Sequence, residues 1–506
     1  MKKIMTRLLS LVLLGAFIPS FVLAETWDLG KGDITVTATE TSQTVSQVNG
    51  ETKDDPDPVI TSSGKTNNTV TITAEKNATA NVTLENVNID TGTTGGAAIT
   101  TSGEGNVNIE LDGTNTVQSG NTHAGVEKKG DGTLTITDEN KDGSLTATGG
   151  NYGAGIGGGY EGSGKGITIE GGKVKAIGGT HGAGIGGGFG GSGSNIAIEG
   201  GKVEASSVGG GAGIGGGSLG SGSNIAVSGG EVTAQGGVGG AGIGGGQGGS
   251  GSNITISDGK VTATGAGAGA GIGGGYEGSG KGITIEGGEV TAQGDAGGAG
   301  IGGGISGTGS DVTISGDAQV KVQGGTTGRD WHKGAAIGNG GTPTTDGNEV
   351  SPNTSDLKVG GFIQIYEPGK NINTDTPDRT IEGQKGDHSW NAGEVTTAET
   401  VPESKAAAYW VSDSQGQSIP YQAQQKDGVL TVTVQADTAS LRGTTGSLRQ
   451  LEAQGVAEIR FVTNGAQSAF TLSDLLTSGT GSFTLTHDGD KITFTLENTD
   501  ISGILK

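Results

Sequence analysis

Short segments in which apolar residues alternate with small or polar ones recur along the chain every 29 residues. Ile156 opens one series of equivalent positions, Ile167 a second and Val174 a third. Alternation with a period of two predicts strands, and the glycine-rich stretches between them predict turns. Three strands per unit in one register predict one turn of a three-sided solenoid. The three series are Ile156, Ile185, Ile214, Ile243, Ile272 and Ile301; Ile167, Ile196, Ile225, Ile254, Ile283 and Val312; and Val174, Val203, Val232, Val261 and Val290.

This periodicity predicts an all-β fold, a right-handed parallel β-helix with three sides and 29-residue coils. Stacking places each strand about 4.8 Å from its predecessor, and the handedness is expected from strand twist. The exact repeats cover about residues 152–323. Looser alternation on both sides extends the predicted β-helix to residues 25–367, beginning near Trp27 and including residues 362–365.

Residues that alternate with the buried ones are predicted to point outwards. In the first series this residue is glycine in every coil, from Gly155 to Gly300, which predicts a smooth outer stripe without side chains. Asn195, Asn224 and Asn253 stand just before the second strand in successive coils. Their spacing predicts a ladder of stacked amides.

The composition changes after residue 367. Residues 368–403 are rich in Pro, Thr and Asp and are predicted to be a linker. Residues 404–506 are predicted to form a small α+β or mostly β module, which is large enough to fold alone. A capping-box pattern begins at Ser447 and predicts a short helix. Asp488-Gly489 between two alternating segments predicts a β-hairpin.

The first 24 residues have the pattern of a secretory signal peptide. Lys2, Lys3 and Arg7 precede and flank an apolar stretch at residues 8–14, and small residues end at Ala24. We therefore expect cleavage before Glu25 and a protein that is secreted or held at the cell surface. The chain has no cysteine, so disulfides cannot stabilise it. No sorting motif or membrane anchor is evident, which leaves wall attachment open.

The charge of the chain argues against two classes of partner. It has 30 Lys and Arg against 53 Asp and Glu, a formal net charge of −23, and loss of the three basic leader residues makes it more negative. Such a surface repels nucleic acid and anionic membranes. No nucleic-acid binding and no membrane insertion are expected.

Aromatic residues stand four positions after the isoleucine of several AGIGGG segments. These are Tyr160, Phe189 and Tyr276, and Trp331 lies in an inserted loop that could extend them. Exposed rings can stack on the apolar faces of sugars, which predicts a carbohydrate site. The alternative is that the rings cover the ends of the coil's core, which is the simpler interpretation for any one ring.

One turn resembles the opening of a calcium-binding loop. Asp138, Asn140 and Asp142 alternate and a glycine follows, so their oxygens could converge on one cation. The glutamate expected at the twelfth position is replaced by Gly149, and the flanking segments are predicted strands. A calcium site and an ordinary polar turn both remain open, and the polar turn is the simpler interpretation.

Sequence support for catalysis is small. There is no cysteine for thiol chemistry, and the five histidines are scattered without a partnered serine motif. We therefore expect no enzymatic activity. A polysaccharide lyase is kept as the less favoured alternative because such enzymes use clustered carboxylates on a β-helical face.

The chain resembles known repeat proteins in about two thirds of its length. The Thr/Val/Ile strands after Trp27, the GSLTATGG segment at residues 143–150 and the AGIGGG repeats resemble glycine-rich secreted surface proteins of gut Firmicutes. They are also similar to the clostridial carbohydrate-binding parallel β-helix family of the pectin-lyase-like superfamily. That family implies calcium-assisted binding of acidic or cellulosic polysaccharide without hydrolysis. The repeats here lack an obvious acidic cluster for the cation.

Two main hypotheses follow. In the first, the protein is a secreted, non-catalytic β-helix that binds a polysaccharide or other glycan at the bacterial cell surface or in the extracellular matrix. In the second, the β-helix is a structural stalk or adhesin scaffold that displays the C-terminal module, which would bind a host-surface protein. The sequence identifies neither the glycan nor the host partner.

Overall fold

The computed structural model describes most of the chain between residue 24 and the C-terminus. Nothing is described before residue 24, and a few short gaps interrupt the rest. The described residues are 24–48, 50, 52–326, 332–342, 344–354, 357, 358, 360–382, 409–413, 419, 421–426, 428–445, 448, 451, 452, 455–479, 482–489, 491–496 and 499–506.

Residues 26–382 form a parallel β-helix, which confirms the predicted fold. Three sheets make up its sides, two of 11 strands and one of 13 in the described part of the chain. Equivalent residues of successive coils pair in register: Ile156 with Ile185, Ile167 with Ile196, and Val174 with Val203. The irregular coils before residue 152 continue into the same three sheets. The right-handed winding stays a prediction.

The strands of each side follow one another along the axis of the solenoid. Sheet 1 contains Thr26–Asp28, Val59–Thr61, Thr79–Glu85, Asn106–Asp112, Leu134–Thr137, Gly164–Ile169, Gly193–Ile198, Gly222–Val227, Gly251–Ile256, Gly280–Ile285 and Gly309–Ile314. Sheet 2 contains Asn88–Asp90, Thr114–Gln118, Ser144–Thr148, Lys173–Gly178, Lys202–Ser207, Glu231–Val238, Lys260–Ala266, Glu289–Gln293, Gln319–Gln323, Phe362–Tyr366 and Arg379–Glu382. Sheet 3 contains Lys53–Asp54, Gln43–Gln47, Ile34–Ala38, Val70–Ala74, Ile99–Ser102, Val126–Lys128, Ile156–Gly157, Ile185–Gly186, Ile214–Gly215, Ile243–Gly244, Ile272–Gly273, Ile301–Gly302 and Ile337–Gly338.

One continuous aliphatic core fills the solenoid from Trp27 to Ile365. In the exact repeats each coil contributes an isoleucine from sheet 3, two residues from sheet 1 and two from sheet 2. Ile243, Ile254 and Val261 illustrate this, each no more than 1% exposed. Because apolar burial is shared between stacked coils, stability belongs to the stack more than to any single coil.

The corners of the coils require glycine because main chain packs on main chain there. Gly244 has a φ of +132°, and a Cβ on it would lie 2.0 Å from the carbonyl oxygen of Gly273. The predicted outer glycine stripe is wrong for the same reason. Gly155 is buried, and a Cβ on it would lie 2.5 Å from the amide nitrogen of Ile177, in the sheet 2 strand that follows it. These glycines let the chain fold tightly instead of presenting a bare surface.

The predicted amide ladder is confirmed. Asn224 donates from Nδ2 to Oδ1 of Asn195 at 3.1 Å, and Asn253 donates to Asn224 at 3.2 Å. All three residues have a positive φ, 51° at Asn224 and 52° at Asn195 and Asn253. Asparagine tolerates this left-handed conformation better than most residues. The ladder therefore follows a column of left-handed residues in sheet 1.

At each end of the solenoid, one of the three sheets finishes in an antiparallel strand. At the N-terminal end, Gln43–Gln47 pairs antiparallel with Ile34–Ala38, and Lys53–Asp54 pairs with it in turn. At the C-terminal end, Arg379–Glu382 pairs antiparallel with Phe362–Tyr366. This last strand lies within the segment predicted as a linker, whose remainder from residue 383 lies outside the described residues.

The C-terminal region forms a small β module with a core of its own. The hairpin predicted at Asp488-Gly489 is confirmed by the antiparallel pairing of Ser482–Asp488 with Lys491–Leu496. Most of the helix predicted from Ser447 lies outside the described residues. The strands are Tyr409–Ser412, Thr438–Thr444, Ser482–Asp488, Lys491–Leu496 and Thr499–Asp500 in one sheet, and Tyr421–Lys426, Val429–Val434, Glu458–Val462 and Gln467–Thr471 in the other.

The described helices are short. The α-helix Leu472–Thr477 begins after Thr471, whose Oγ1 accepts a hydrogen bond from the amide of Asp474 at 3.1 Å. The sequence analysis did not predict this helix, although its cap residue was there to find. Two 3₁₀ turns complete the set, Leu29–Lys31 and Ser502–Ile504.

Candidate functional site

In every coil, one turn precedes the short sheet 3 strand and another turn follows it. Main-chain hydrogen bonds join the following turn of one coil to the preceding turn of the coil before. The amide of Phe189 donates to the carbonyl oxygen of Tyr152 at 2.8 Å. The amide of Tyr276 donates in the same way to Gly239 at 2.7 Å. This fixed pattern places equivalent side chains of successive coils in one column along the solenoid.

Four rings meet in these turns on two successive coils. Tyr160 and Phe189 stack with centroids 5.7 Å apart and planes 15° apart. Tyr152 and His181 stack at 5.2 Å with planes 12° apart. The two stacks meet edge to face, with Tyr152 5.5 Å from Tyr160 and His181 5.2 Å from Phe189. Tyr152, Tyr160, His181 and Phe189 together are called the aromatic ridge below.

The aromatic ridge lies on the outside of the protein. Tyr160 is 47% exposed, and the other three rings are partly exposed. The turns of the next coils continue an apolar surface, since Val208, Leu219 and Val238 are each more than 60% exposed. Core packing alone does not explain large apolar side chains in such positions, because they remain in contact with water.

Tyr276 occupies the same column but stands apart from the ridge. Ser218 and Gln247 fill the two intervening positions, so Tyr276 lies three coils beyond Phe189. Of the predicted sugar-binding residues, the structure therefore brings Tyr160 and Phe189 together and leaves Tyr276 on the same flank at a distance. Trp331 lies outside the described residues.

Each of the two tyrosines in this column has a glutamate beside it. The negative charge of Glu161, followed by its hydrogen bond, raises the pKa of the Tyr160 phenol. A hydrogen bond to Glu277 raises the pKa of Tyr276. Both phenols thus keep their protons at neutral pH, and both lie next to a carboxylate.

The sequence analysis missed half of the ridge. The predicted aromatic residues stand in the turn after each AGIGGG segment, whereas Tyr152 and His181 stand in the turn before it. A signal was available, since Tyr152 and His181 are separated by the same 29 residues as Tyr160 and Phe189. Two aromatic pairs at the coil spacing predict two stacks.

The candidate calcium turn contains Asp138, Asn140 and Asp142. Asp138 already accepts a hydrogen bond from the amide of Gly143 at 3.1 Å, and Asn140 and Asp142 are exposed. Among the residues with described positions, no group of three or more His, Cys, Asp or Glu side chains could hold a metal ion. Two carboxylates and one amide are few oxygens for Ca²⁺, which takes six to eight. Calcium binding here stays a prediction.

A buried acid–base cluster lies where the exact repeats begin. The side chain of Glu127 is 5% exposed and interacts with His123 Nδ1 at 2.6 Å and with Lys129 Nζ at 2.8 Å. Its Oε2 also accepts from the amide of Ala124 at 3.2 Å. Because the carboxylate is occupied by these partners, the cluster is best explained as a structural ion pair.

Comparison with known proteins supports the architecture. A family model described as a beta helix repeat matches residues 141–160, 167–189, 196–218, 225–247, 254–276 and 283–305. Five of the six matched segments each start at one member of the Ile167 series and end at the residue four positions after the sheet 3 isoleucine of the following coil. No curated protein and no solved structure matches the chain significantly. Within the described residues, no helix has the length and apolar character needed to cross a membrane.

Proposed function

We propose that the mature chain is a secreted, non-catalytic protein that binds carbohydrate through the aromatic ridge. The observation that supports this most directly is the contact between four rings on the outer surface of a rigid solenoid. Aromatic rings present flat apolar faces to the C–H groups of sugars. Tyr160, as the most exposed ring, is the central contact.

The charges around the ridge favour a neutral polysaccharide over a polyuronate. Glu161 lies beside Tyr160 and Glu277 beside Tyr276, and the whole chain is strongly acidic. A uronate chain would bring like charges together, which weakens binding. Because the column runs along the axis of the solenoid, a linear polymer could contact both Tyr160 and Tyr276.

A glycan array with residues 25–506 tests the proposal. We expect retention of at least one neutral plant, microbial or mucin glycan. Tyr160→Ala should weaken binding about fivefold to tenfold, the loss expected for one stacked ring. Val48→Ala is the matched control, because Val48 is an exposed apolar residue far away in sequence. No retention of any glycan, or equal retention by Tyr160→Ala, would contradict the proposal.

Calcium is a separate part of the proposal. If Asp138, Asn140 and Asp142 hold Ca²⁺, calorimetry of residues 25–506 should detect binding that Asp142→Asn removes. Sugar affinity should be measured with Ca²⁺ and with a chelator. Equal affinities together with no heat of Ca²⁺ binding would assign these residues to a polar turn.

A stalk or adhesin scaffold is the second candidate function. The observation that favours it is the separate hydrophobic core of the C-terminal module. Host-cell binding by the full mature chain and by residues 25–403 distinguishes the two hypotheses. Loss of cell binding on removal of the module, with glycan binding unchanged, assigns host recognition to the module. A lyase activity would instead release unsaturated uronate products, which absorb ultraviolet light.

A further inference from the structure

A buried carboxylate stands at the N-terminal end of the β-helix. Asp55 is 0% exposed. Its Oδ2 accepts hydrogen bonds from the indole Nε1 of Trp27 at 2.8 Å and from the main-chain nitrogen of Glu25 at 3.1 Å. Its Oδ1 accepts from the amide of Asp57 at 3.3 Å. All three donors are uncharged groups in a chain that continues before Glu25.

Among the described residues, Asp55 forms no ion pair, and the Lys53 ammonium lies over the Trp27 ring at 5.8 Å from its centroid. Lys53 pairs instead with the Glu25 side chain at 2.6 Å. A buried carboxylate that lacks a counter-charge destabilises a fold even when it is hydrogen-bonded. The structure therefore has a place for a positive charge beside Asp55 Oδ2.

We propose that Asp55 is the docking site for the α-ammonium group of the mature chain. The proposal rests on the cleavage predicted after Ala24, which is independent of any sugar-binding function. Cleavage at that bond converts the main-chain nitrogen of Glu25 from an amide into a charged group with three donors. That nitrogen is already 3.1 Å from Asp55, so no movement of the chain is required.

The docked terminus would close the first coil. The carbonyl oxygen of Glu25 accepts from the amide of Val59 at 2.9 Å, and the next residue, Thr26, pairs with Val59 in sheet 1. The ion pair thus fixes the edge strand of the solenoid only after processing. The uncleaved precursor has an uncharged amide at the same position, so its first coil is less stable.

The pH dependence of this contact has a defined sign. A neighbouring carboxylate raises the pKa of an amine above its unfolded value of about 7.8. Stability from the pair is then fully present below about pH 7.8 and is lost as pH rises through the raised value. The other charged side chains of the segments that meet here are those of Glu25, Asp28, Lys31, Asp33, Lys53, Asp54 and Asp57.

The test compares two versions of the full mature chain. One begins at Glu25, and the other has Gly-Ser added before Glu25, which moves the ammonium away and restores an amide. We expect the authentic chain to melt about 2 °C higher at pH 7 and the difference to disappear above about pH 10. Rates of α-amine acylation against pH should give a pKa about one unit above the ordinary value.

Asp55→Asn provides the second arm. It should abolish the difference in melting temperature between the two N-termini, which a double-mutant cycle measures directly. If Asp55→Asn fails to fold, the comparison of the two N-termini in the natural sequence still tests whether the α-ammonium group stabilises the chain. Equal melting temperatures, an ordinary α-amine pKa, or an exported protein whose mass shows a start other than Glu25 would each overturn the proposal.

Discussion

The β-helix and the C-terminal module are stabilised by different kinds of core. In the β-helix, aliphatic side chains stack coil upon coil, and each coil contacts only its neighbours. In the module, three phenylalanines from separate strands, Phe470, Phe483 and Phe494, meet in one place. A repeated core divides stability into similar increments, whereas a single core concentrates it in a few residues. The two regions should therefore respond differently to the same kind of change.

Deletions should show the largest difference. Removing residues 222–250 takes out one coil and leaves every remaining strand in register, so we expect the β-helix to keep its β-sheet circular dichroism and its cooperative melting. Removing only residues 222–231 shifts all later strands, exposes core residues and should abolish the fold of the coils that follow. Loss of structure in both deletions would contradict the idea that whole coils are interchangeable units of the β-helix.

The module should be most sensitive at its aromatic core. Phe470 is fully buried, and its ring centroid lies 4.7 Å from that of Phe494. Phe470→Ala should reduce the free energy of unfolding of the module by about 3–5 kcal/mol. Hydrogen exchange followed by mass spectrometry of the full chain can measure both regions at once. Exchange in the β-helix should not change, and Phe470→Leu should have a smaller effect.

A single methyl group should be costly in the β-helix only at its corners. Gly244→Ala forces a Cβ into the carbonyl of Gly273 and a positive φ on alanine, which should destabilise the fold by about 3 kcal/mol. Gly96→Ala is the control, because no atom lies within 4 Å of a Cβ at that position. Urea unfolding of the two variants gives the comparison, and similar midpoints would refute the close-packing argument.

Acid should weaken the module before the β-helix. His487 is fully buried, with Nε2 2.7 Å from Ser468 Oγ and Nδ1 3.1 Å from Thr463 Oγ1. Burial lowers the pKa of His487 from 6.5 to about 4. The unfolded module therefore binds a proton more readily, and stability is lost as pH falls from 6.5 towards 4.

The expected size of this acid effect is a fall of a few degrees in the melting temperature of the module. His487→Gln should remove most of the change between pH 6.5 and 4. Melting curves that keep the same pH dependence in His487→Gln would show that another group is responsible.

The β-helix was easier to predict than the module because its contacts repeat at a fixed distance along the sequence, whereas those of the module do not. The β-helix could be predicted because contacting residues are one coil apart, so the spacing of Ile156 and Ile185 already contains the register. The sheet order of the module depends on pairs such as Thr438 with Asp488, which no local pattern indicates. Of the strand pairings in the module, only the hairpin, a local element, was predicted.

The site was predictable in part. The 29-residue step identifies Tyr160 and Phe189 as neighbours, and it would have identified Tyr152 and His181 as well. The direction of the chain at the corners was not predictable, because alternation alone cannot show that a second segment covers Gly155. The geometry of these corners decides which two turns become neighbours, and therefore which side chains come into contact.

The antiparallel strands at the two ends also limit how the sheets of the solenoid can pair with other copies of the chain. An uncapped stack of identical rungs offers main-chain donors and acceptors to any other copy, and growth into fibrils has no natural stopping point. Gln43–Gln47 covers the terminal parallel strand of sheet 3 at one end, and Arg379–Glu382 covers that of sheet 2 at the other. The number of 29-residue repeats between these two strands sets the length of the solenoid, so a change in repeat number would alter its length without altering either terminal strand.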